Sequence, residues 1–235
     1  SGTAGLNAMG QVRRAGKSFV LINGGEPGTT CARVGCMPSK ALIQVADDLH
    51  AVGRLPRYGV TGGENPRPDG PRVLEHVRHI RDTLVDRVLS NSTDGMAADV
   101  FIQDYARLLE PTLIAVGDQR IRAGAVVIAT GSRPLVPEAW RAFGDRIVTS
   151  DDLFEQDDLP AAVAVIGLGV IGLELGQALR RLGVAVTGFD QLETLGGISD
   201  PEVLAQAREI LGKELPLHLG QPATITEAKD GRLRV

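Results

Sequence analysis

Residues 162–190 read AVAVIGLGVIGLELGQALRRLGVAVTGFD, and this stretch decides the fold. An apolar run rich in β-branched residues (162–166) enters a glycine turn with Gly167, Gly169 and Gly172 in GxGxxG spacing. A helical stretch (170–182) follows, then Gly183 and a second strand-like run ending at Asp190. Strand, turn, helix and strand in that order are the context that makes a glycine motif informative. The first glycine permits the tight turn, the second lets backbone approach a pyrophosphate, and the third lets helix and strand pack closely. Unpaired N–H groups at the helix start then face the phosphates. Asp190 stands where a carboxylate accepts hydrogen bonds from ribose hydroxyls and repels a 2′-phosphate, so NAD is expected over NADP.

The same pattern occurs earlier in the chain. GTAG (2–5) aligns with GVIG (169–172) at an offset of 167, and the offset also matches Leu6 to Leu173, Arg13-Arg14 to Arg180-Arg181, Gly16 to Gly183 and Asn23 to Asp190. The sequence opens at Ser1-Gly2, so the strand before this turn and its first glycine are absent from the copy. Its second strand, SFVLI (18–22), leads to Asn23, a neutral and weaker ribose acceptor than a carboxylate. A second dinucleotide site is the expectation.

Composition narrows the class. Hydrophobic residues at 43% are enough for a packed core, and 25 basic against 29 acidic residues give neither sign the dominance of a nucleic-acid or polybasic membrane binder. The chain has no apolar run of about 20 residues and no charged-then-apolar leader pattern, so a soluble, cytoplasmic protein is expected. Glycine, 29 of 235 residues, exceeds the usual share of about 7%, as expected of tight turns and close backbone approach to ligands.

The two cysteines, Cys31 and Cys36, lie in CARVGCMPSK (31–40). One pair in a chain this long does not describe a disulfide-stapled secreted domain. Zinc would need two further ligands, and His50, His76, His79 and His218 are not spaced to supply them, so no metal site is expected. His76 and His79 share a helix face, but in a charged stretch that reads as solvated. Two unrelated buried thiols are the plain alternative to a reactive pair. Residues i and i+5 of a regular helix are about 7.5 Å apart along its axis, beyond the ~6.8 Å limit of a disulfide. Pairing therefore requires an irregular turn, which Gly35 and Pro38 allow. A thiol at a helix start and near Lys40 has its thiolate stabilised, which favours the reactive reading.

CARVGCMPSK resembles the redox-active disulfide segment of the FAD-dependent pyridine nucleotide–disulfide oxidoreductases. VAVIGLGVIGLELGQALRRLG (163–183) resembles their NAD(P)-binding segment, and VVIATGSRP (126–134) the strand linking the two domains. The resemblance runs the length of the chain and is strongest to the dihydrolipoamide dehydrogenases. It implies that Cys31 exchanges with a dithiol substrate, and that Cys36, its disulfide partner, faces the flavin. Lys40 would lie beside the flavin, paired with Glu174. Gly2, Gly5 and Thr30 would touch the FAD pyrophosphate, Asn23 its ribose and the Ala106 backbone its adenine, with Thr130 and Gly131 along the cofactor. Gly167, Gly169, Gly172 and Asp190 would hold NAD.

The implied fold is α/β, with two Rossmann-like three-layer units, the first carrying a small antiparallel meander and both truncated. The domains are expected at 1–149 (FAD) and 150–235 (NAD). The implied partners are a small dithiol or disulfide substrate, with a lipoyl group expected, and a second copy in a full-length homodimer. No nucleic acid or membrane is expected. A mercuric or other disulfide reductase of the same family, or a non-catalytic NAD-binding module, are the alternatives. The family's chain is about twice as long, and its His-Pro-x-x-x-x-Glu stretch is absent here. The sequence is therefore expected to be an N-terminal fragment that does not turn over alone.

The finer layout follows from periodicity. Helices are expected at 3–15, 37–52, 72–93 and 201–213, the last opened by a Ser199–Glu202 capping box. Strands are expected at 18–23 and 125–129, with four short antiparallel strands over 99–122. A Pro/Gly/Arg-rich loop is expected at 53–71, and a domain connection at 133–160.

Overall fold

The computed structural model describes residues 1–63 and 66–235. Glu64 and Asn65, within the expected loop 53–71, lie outside the described residues. The fold is mixed α/β, with parallel and antiparallel sheets. The chain divides into two compact units, one of Ser1–Pro38 with His79–Leu135 and one of Ser39–Arg78 with Val136–Val235. Two long helices run through the division.

The first unit opens with α1 (Thr3–Arg14) and then β1 (Leu21–Ile22). A single helical turn, α2 (Thr30–Arg33), precedes the long α3 (Cys36–Val52), most of which belongs to the second unit. A 3-10 turn (Leu55–Tyr58) and α4 (Gly70–Ser90) follow. Pro71 occupies a first-turn position, where its missing N–H costs nothing, and Asp69 accepts from the Arg72 N–H at 3.2 Å. Val73 and Val77 are buried and Ile80, Leu84 and Val88 half-buried, so the apolar stripe is the packed face, while His76 and His79 are exposed.

β2 (Phe101–Ile102) pairs in parallel with β1. A meander of β3 (Ala106–Glu110), β4 (Leu113–Val116) and β5 (Gln119–Arg122) comes next, antiparallel in that order. Three of the expected strands change here. The four-strand antiparallel patch is three strands, because its first member joins β1 instead. Strand 18–23 contracts to Leu21–Ile22, since β2 offers only two residues to pair with. Residues 125–129 form no strand; among the described residues nothing ladders with them, and Val127 and Ile128 are 66% and 73% exposed.

In the second unit a short helix, α5 (Glu138–Arg141), lies within the expected connection. The chain then forms β6 (Ala162–Ile166), α6 (Val170–Arg181), β7 (Ala185–Asp190), α7 (Pro201–Gly212) and β8 (Leu217–Leu219). The three strands make a parallel sheet in the order β6-β7-β8. α6 lies against one face, where an added Cβ on Gly176 would meet Val165 Cγ2 at 3.5 Å and Val186 Cγ1 at 3.8 Å. Leu175, Ala178, Leu179 and Val186 are buried there. α7 is capped by Asp200, whose Oδ1 accepts from the N–H groups of Glu202 and Val203 at 2.9 and 3.0 Å. Ser199 is not the cap: with Pro201 as the first helical residue, the cap position falls on residue 200. A short antiparallel pair, β9 (Thr226–Glu227) and β10 (Leu233–Arg234), ends the chain. Among the described residues no helix is long and apolar enough to cross a membrane.

The aligned glycines of the two copies sit in different surroundings. A Cβ at Gly172 would lie 1.9 Å from the Gly167 carbonyl oxygen, whereas one at Gly5 would meet only Ala129 Cβ at 3.7 Å and Leu21 Cδ1 at 3.9 Å. Alanine gains about 0.5–1 kcal/mol of helix propensity over glycine, while a backbone clash costs about 1–3 kcal/mol. Gly5→Ala is therefore expected to leave the urea midpoint unchanged or slightly raised, and Gly172→Ala to lower it clearly. Equal midpoints for the two variants would contradict this difference in packing.

Candidate functional site

The turn between β6 and α6 is built from its backbone. Gly167 adopts φ +96°, a left-handed conformation that lets the chain reverse into the helix. Its N–H donates to the Phe189 carbonyl at 2.8 Å, tying the turn to β7. Gly169 caps α6 without a side chain, and Gly167, Gly169, Val170 and Ile171 are exposed. The first N–H groups of a 12-residue helix thus open onto solvent, an arrangement suited to an anion. Asp190 stands at the end of β7, where its Oδ2 accepts from the Leu168 N–H at 2.6 Å and its Oδ1 from the Leu192 N–H at 2.8 Å. The carboxylate therefore braces the turn itself, a role that spacing alone did not reveal. Two carboxylate oxygens offer about four acceptor sites, so capacity remains for a ribose.

In the first unit, Gly2 is the N-cap of α1 and also lacks a side-chain cap. Asn23 follows β1. Its Nδ2 donates to the Gly25 carbonyl at 2.5 Å and to Gln103 Oε1 at 3.4 Å. Gln103 was not singled out from the sequence; nothing marks it there, because its partners lie 78 and 80 residues away. Ala106 starts β3, exposed, and Thr130 and Gly131 (φ +73°) are exposed directly after residues 125–129. Thr30 opens α2, but the cap of that turn is the buried Thr29, whose Oγ1 accepts from the Ala32 N–H at 3.1 Å. The Thr-Thr pair ahead of a helical turn was the available signal.

The cysteines lie on either side of a helix break. α2 ends at Arg33, Val34 and Gly35 interrupt, and Cys36 begins α3. Gly35 makes a close approach possible: a Cβ there would stand 2.9 Å from the Thr30 carbonyl oxygen and 3.2 Å from Cys31 Cα. The break brings the two thiols within hydrogen-bonding reach, half-buried at Cys31 and exposed at Cys36. Hydrogen bonding to the Cys36 side chain pushes the Cys31 thiol above its ordinary range, and burial acts in the same direction, outweighing the backbone hydrogen bond at Cys36 that lowers it.

One turn further along α3, within the second unit, Lys40 Nζ lies 2.5 Å from Glu174 Oε2 on α6. Their side chains are 56% and 38% exposed, so the pair contributes about 0.2–1 kcal/mol at most. Among the described residues no group of three or more His, Cys, Asp or Glu side chains could hold a metal ion.

Residues 1–233 match the family model described as pyridine nucleotide-disulphide oxidoreductase. The chain belongs to that family. Dihydrolipoyl dehydrogenase of Pseudomonas aeruginosa is 33% identical, over 98% of this chain and 52% of its own length. The chloroplastic dihydrolipoyl dehydrogenase 2 of Arabidopsis thaliana is 30% identical, over 99% of this chain and 41% of its own. Mercuric reductase of Streptomyces lividans is 30% identical, over 91% and 46%. The chain thus spans about half the length of the curated relatives it matches. Among solved structures, the Cu(II) complex of the HOCl-induced flavoprotein disulfide reductase RclA from Escherichia coli superposes with a TM-score of 0.78. That match is 20% identical and covers all of this chain and 50% of the other, which shows a shared fold. Family members are oxidoreductases.

The thiol geometry has a measurable consequence. A raised Cys31 pKa means less reactive thiolate at a given pH, and its largest cause is the Cys36 side chain. In the reduced protein, Cys36→Ala is expected to move the pH midpoint of Cys31 alkylation by iodoacetamide downward, so that alkylation at pH 8 is faster. An unchanged midpoint would show that the thiols do not interact in solution.

Proposed function

We propose that this chain is the cofactor-binding and redox-active part of an FAD-dependent disulfide oxidoreductase of dihydrolipoamide dehydrogenase type. Its reaction would transfer two electrons between a dithiol or disulfide substrate and NAD(H). The observation that carries the reading is the cysteine pair itself, two residues five apart brought within hydrogen-bonding reach across a helix break where Gly35 leaves no room for a side chain. Residues 1–149 are read as the FAD part and 150–235 as the NAD part.

The chain's residues fit both cofactors. The exposed start of α6, the left-handed Gly167 and the carbonyl that excludes a Cβ from Gly172 form a cradle for a pyrophosphate. Gly167, Gly169, Gly172 and Asp190 would hold NAD. Gly2 and Gly5 at the start of α1, with Asn23, Thr30, Ala106, Thr130 and Gly131, would hold FAD, and Lys40 would act beside it. When bound, the flavin supplies a carrier that exchanges electron pairs with both thiols and nicotinamide.

The thiols do the exchange. The Cys31 thiolate attacks a substrate disulfide to form a mixed disulfide and release one substrate sulfur as thiolate. Cys36 then attacks the Cys31 sulfur, forming the Cys31–Cys36 disulfide and releasing the substrate as a dithiol. Two electrons have moved from the cysteines to the substrate, and the reverse sequence oxidises a dithiol. Because Cys31 holds its proton in the hydrogen bond to Cys36, a base that removes that proton accelerates the first step. A lipoyl group is the proposed substrate and a second copy of the full-length chain the proposed partner.

The test is the visible spectrum of the full-length protein, before and after anaerobic NADH. Flavin bands with a long-wavelength shoulder on reduction are expected, with the shoulder lost in Cys36→Ser. A protein that purifies without flavin and takes up none when FAD is added would sink the reading.

A further inference from the structure

Helices α3 and α6 carry charge at matching intervals. Lys40 and Asp47 are seven residues apart on α3, and Glu174 and Arg181 are seven apart on α6. Seven residues are two helical turns, about 10.5 Å. Lys40 Nζ meets Glu174 Oε2 at 2.5 Å, and Arg181 Nη1 meets Asp47 Oδ1 at 2.5 Å. Two bridges of opposite polarity therefore join the same two helices, which run parallel and in step over two turns. All four residues belong to the second unit.

The bridges are unequal. The Lys40 side chain is 56% exposed, a hydrated point charge on a flexible stem. The Arg181 side chain is 19% exposed, and its planar fork is held on two sides. Nη2 and Nε donate to the Glu214 carboxylate at 2.9 and 3.1 Å while Nη1 holds Asp47. Arg180 adds a bond from its Nε to the Glu214 carbonyl at 2.7 Å. Burial pushes the Glu214 carboxyl upward, yet the Arg181 guanidinium, with Gln177 and His50, holds it below its usual range. The arginine is thus anchored in the second unit independently of α3. An exposed lysine–glutamate pair does not fix helix register, whereas an anchored, half-buried guanidinium does.

We propose that Arg181, through Asp47, is a positioning residue that sets the register of α3 on α6 and so keeps Lys40 on Glu174. A slip of one residue would move Lys40 by about 1.5 Å and turn it by roughly 100° about its helix. The functional meaning, that the Arg181–Asp47 bridge governs how Lys40 is presented to the flavin, rests on the oxidoreductase reading above.

Competitive acylation with acetic anhydride, read by mass spectrometry in the full-length protein, tests the clamp without requiring flavin or turnover. Lys17 and the Glu209-paired Lys213 serve as internal references. Glu174→Gln is expected to raise Lys40 acylation about two- to fivefold, the factor corresponding to an exposed ion pair. Asp47→Asn, nearly isosteric and leaving Arg181 on Glu214, is expected to raise it by a similar factor. The double variant should react no faster than Glu174→Gln alone, with the reference lysines unchanged. Arg181→Ala should match Asp47→Asn if it folds by circular dichroism, and the inference does not depend on its folding. The clamp is overturned if Asp47→Asn leaves Lys40 at the wild-type rate, if the two effects multiply, if all lysines rise together, or if Glu174→Gln changes nothing. A preparation without flavin that still shows the expected pattern would sink the oxidoreductase reading and leave the clamp standing.

Discussion

The carbonyl oxygen of Gly167 leaves no space for a methyl group at residue 172, and the nucleotide-type unit is organised around that contact. It forces α6 to start directly above the end of β6, so the helix axis is set by the turn rather than by later packing. Gly176, one turn on, continues the close approach against Val165 and Val186. With α6 held this near the sheet, its opening N–H groups stand in the open beyond the strand ends, and Glu174 and Arg181 project from a helix whose position is fixed. The charges that meet α3 inherit their precision from this backbone contact.

A second steric exclusion does comparable work among the cysteines. One continuous helix would hold residues 31 and 36 apart along its axis. The break at Val34–Gly35 departs from that spacing, and the absence of a side chain at Gly35 is what its close approach to Thr30 and Cys31 requires. Pro38 then sits fully buried in the first turn of α3, where a proline is tolerated and restarts the helix without losing a hydrogen bond. Local backbone geometry, rather than a hydrophobic pocket, brings the two sulfurs together.

What could be read from the chain follows the range of the interactions. The β6–α6–β7 unit was legible because every signal in it is local: an apolar run rich in β-branched residues, glycines at fixed spacing and a closing acid. α4 was legible from its stripe of Val73, Val77, Ile80, Leu84 and Val88. Strand 18–23 was overread because strand length depends on the partner, and β2 supplies two residues. The start of α7 at Pro201 was legible, but its cap is Asp200 rather than the Ser199 of the capping-box pattern, because a proline in the first helical position puts the cap directly before it. Of the site, the residue types and their spacing were visible, including the Lys40–Glu174 pair through family resemblance. Asn23 with Gln103, and Arg181 with Asp47 and Glu214, were not, since single-sequence patterns carry no information on side chains that meet across 33 to 134 residues.

The brace that Asp190 places on the glycine turn bears on how cofactor preference can change during evolution or engineering. On the proposed assignment, the carboxylate that would reject a 2′-phosphate is also the acceptor for the Leu168 and Leu192 N–H groups. Exchanging it for a small neutral residue removes the repulsion and leaves two backbone donors in need of new partners. A switch towards the phosphorylated nucleotide therefore has to rebuild the loop 190–192 together with the acid. Selection acting on this position alone meets a folding constraint before it meets a binding one.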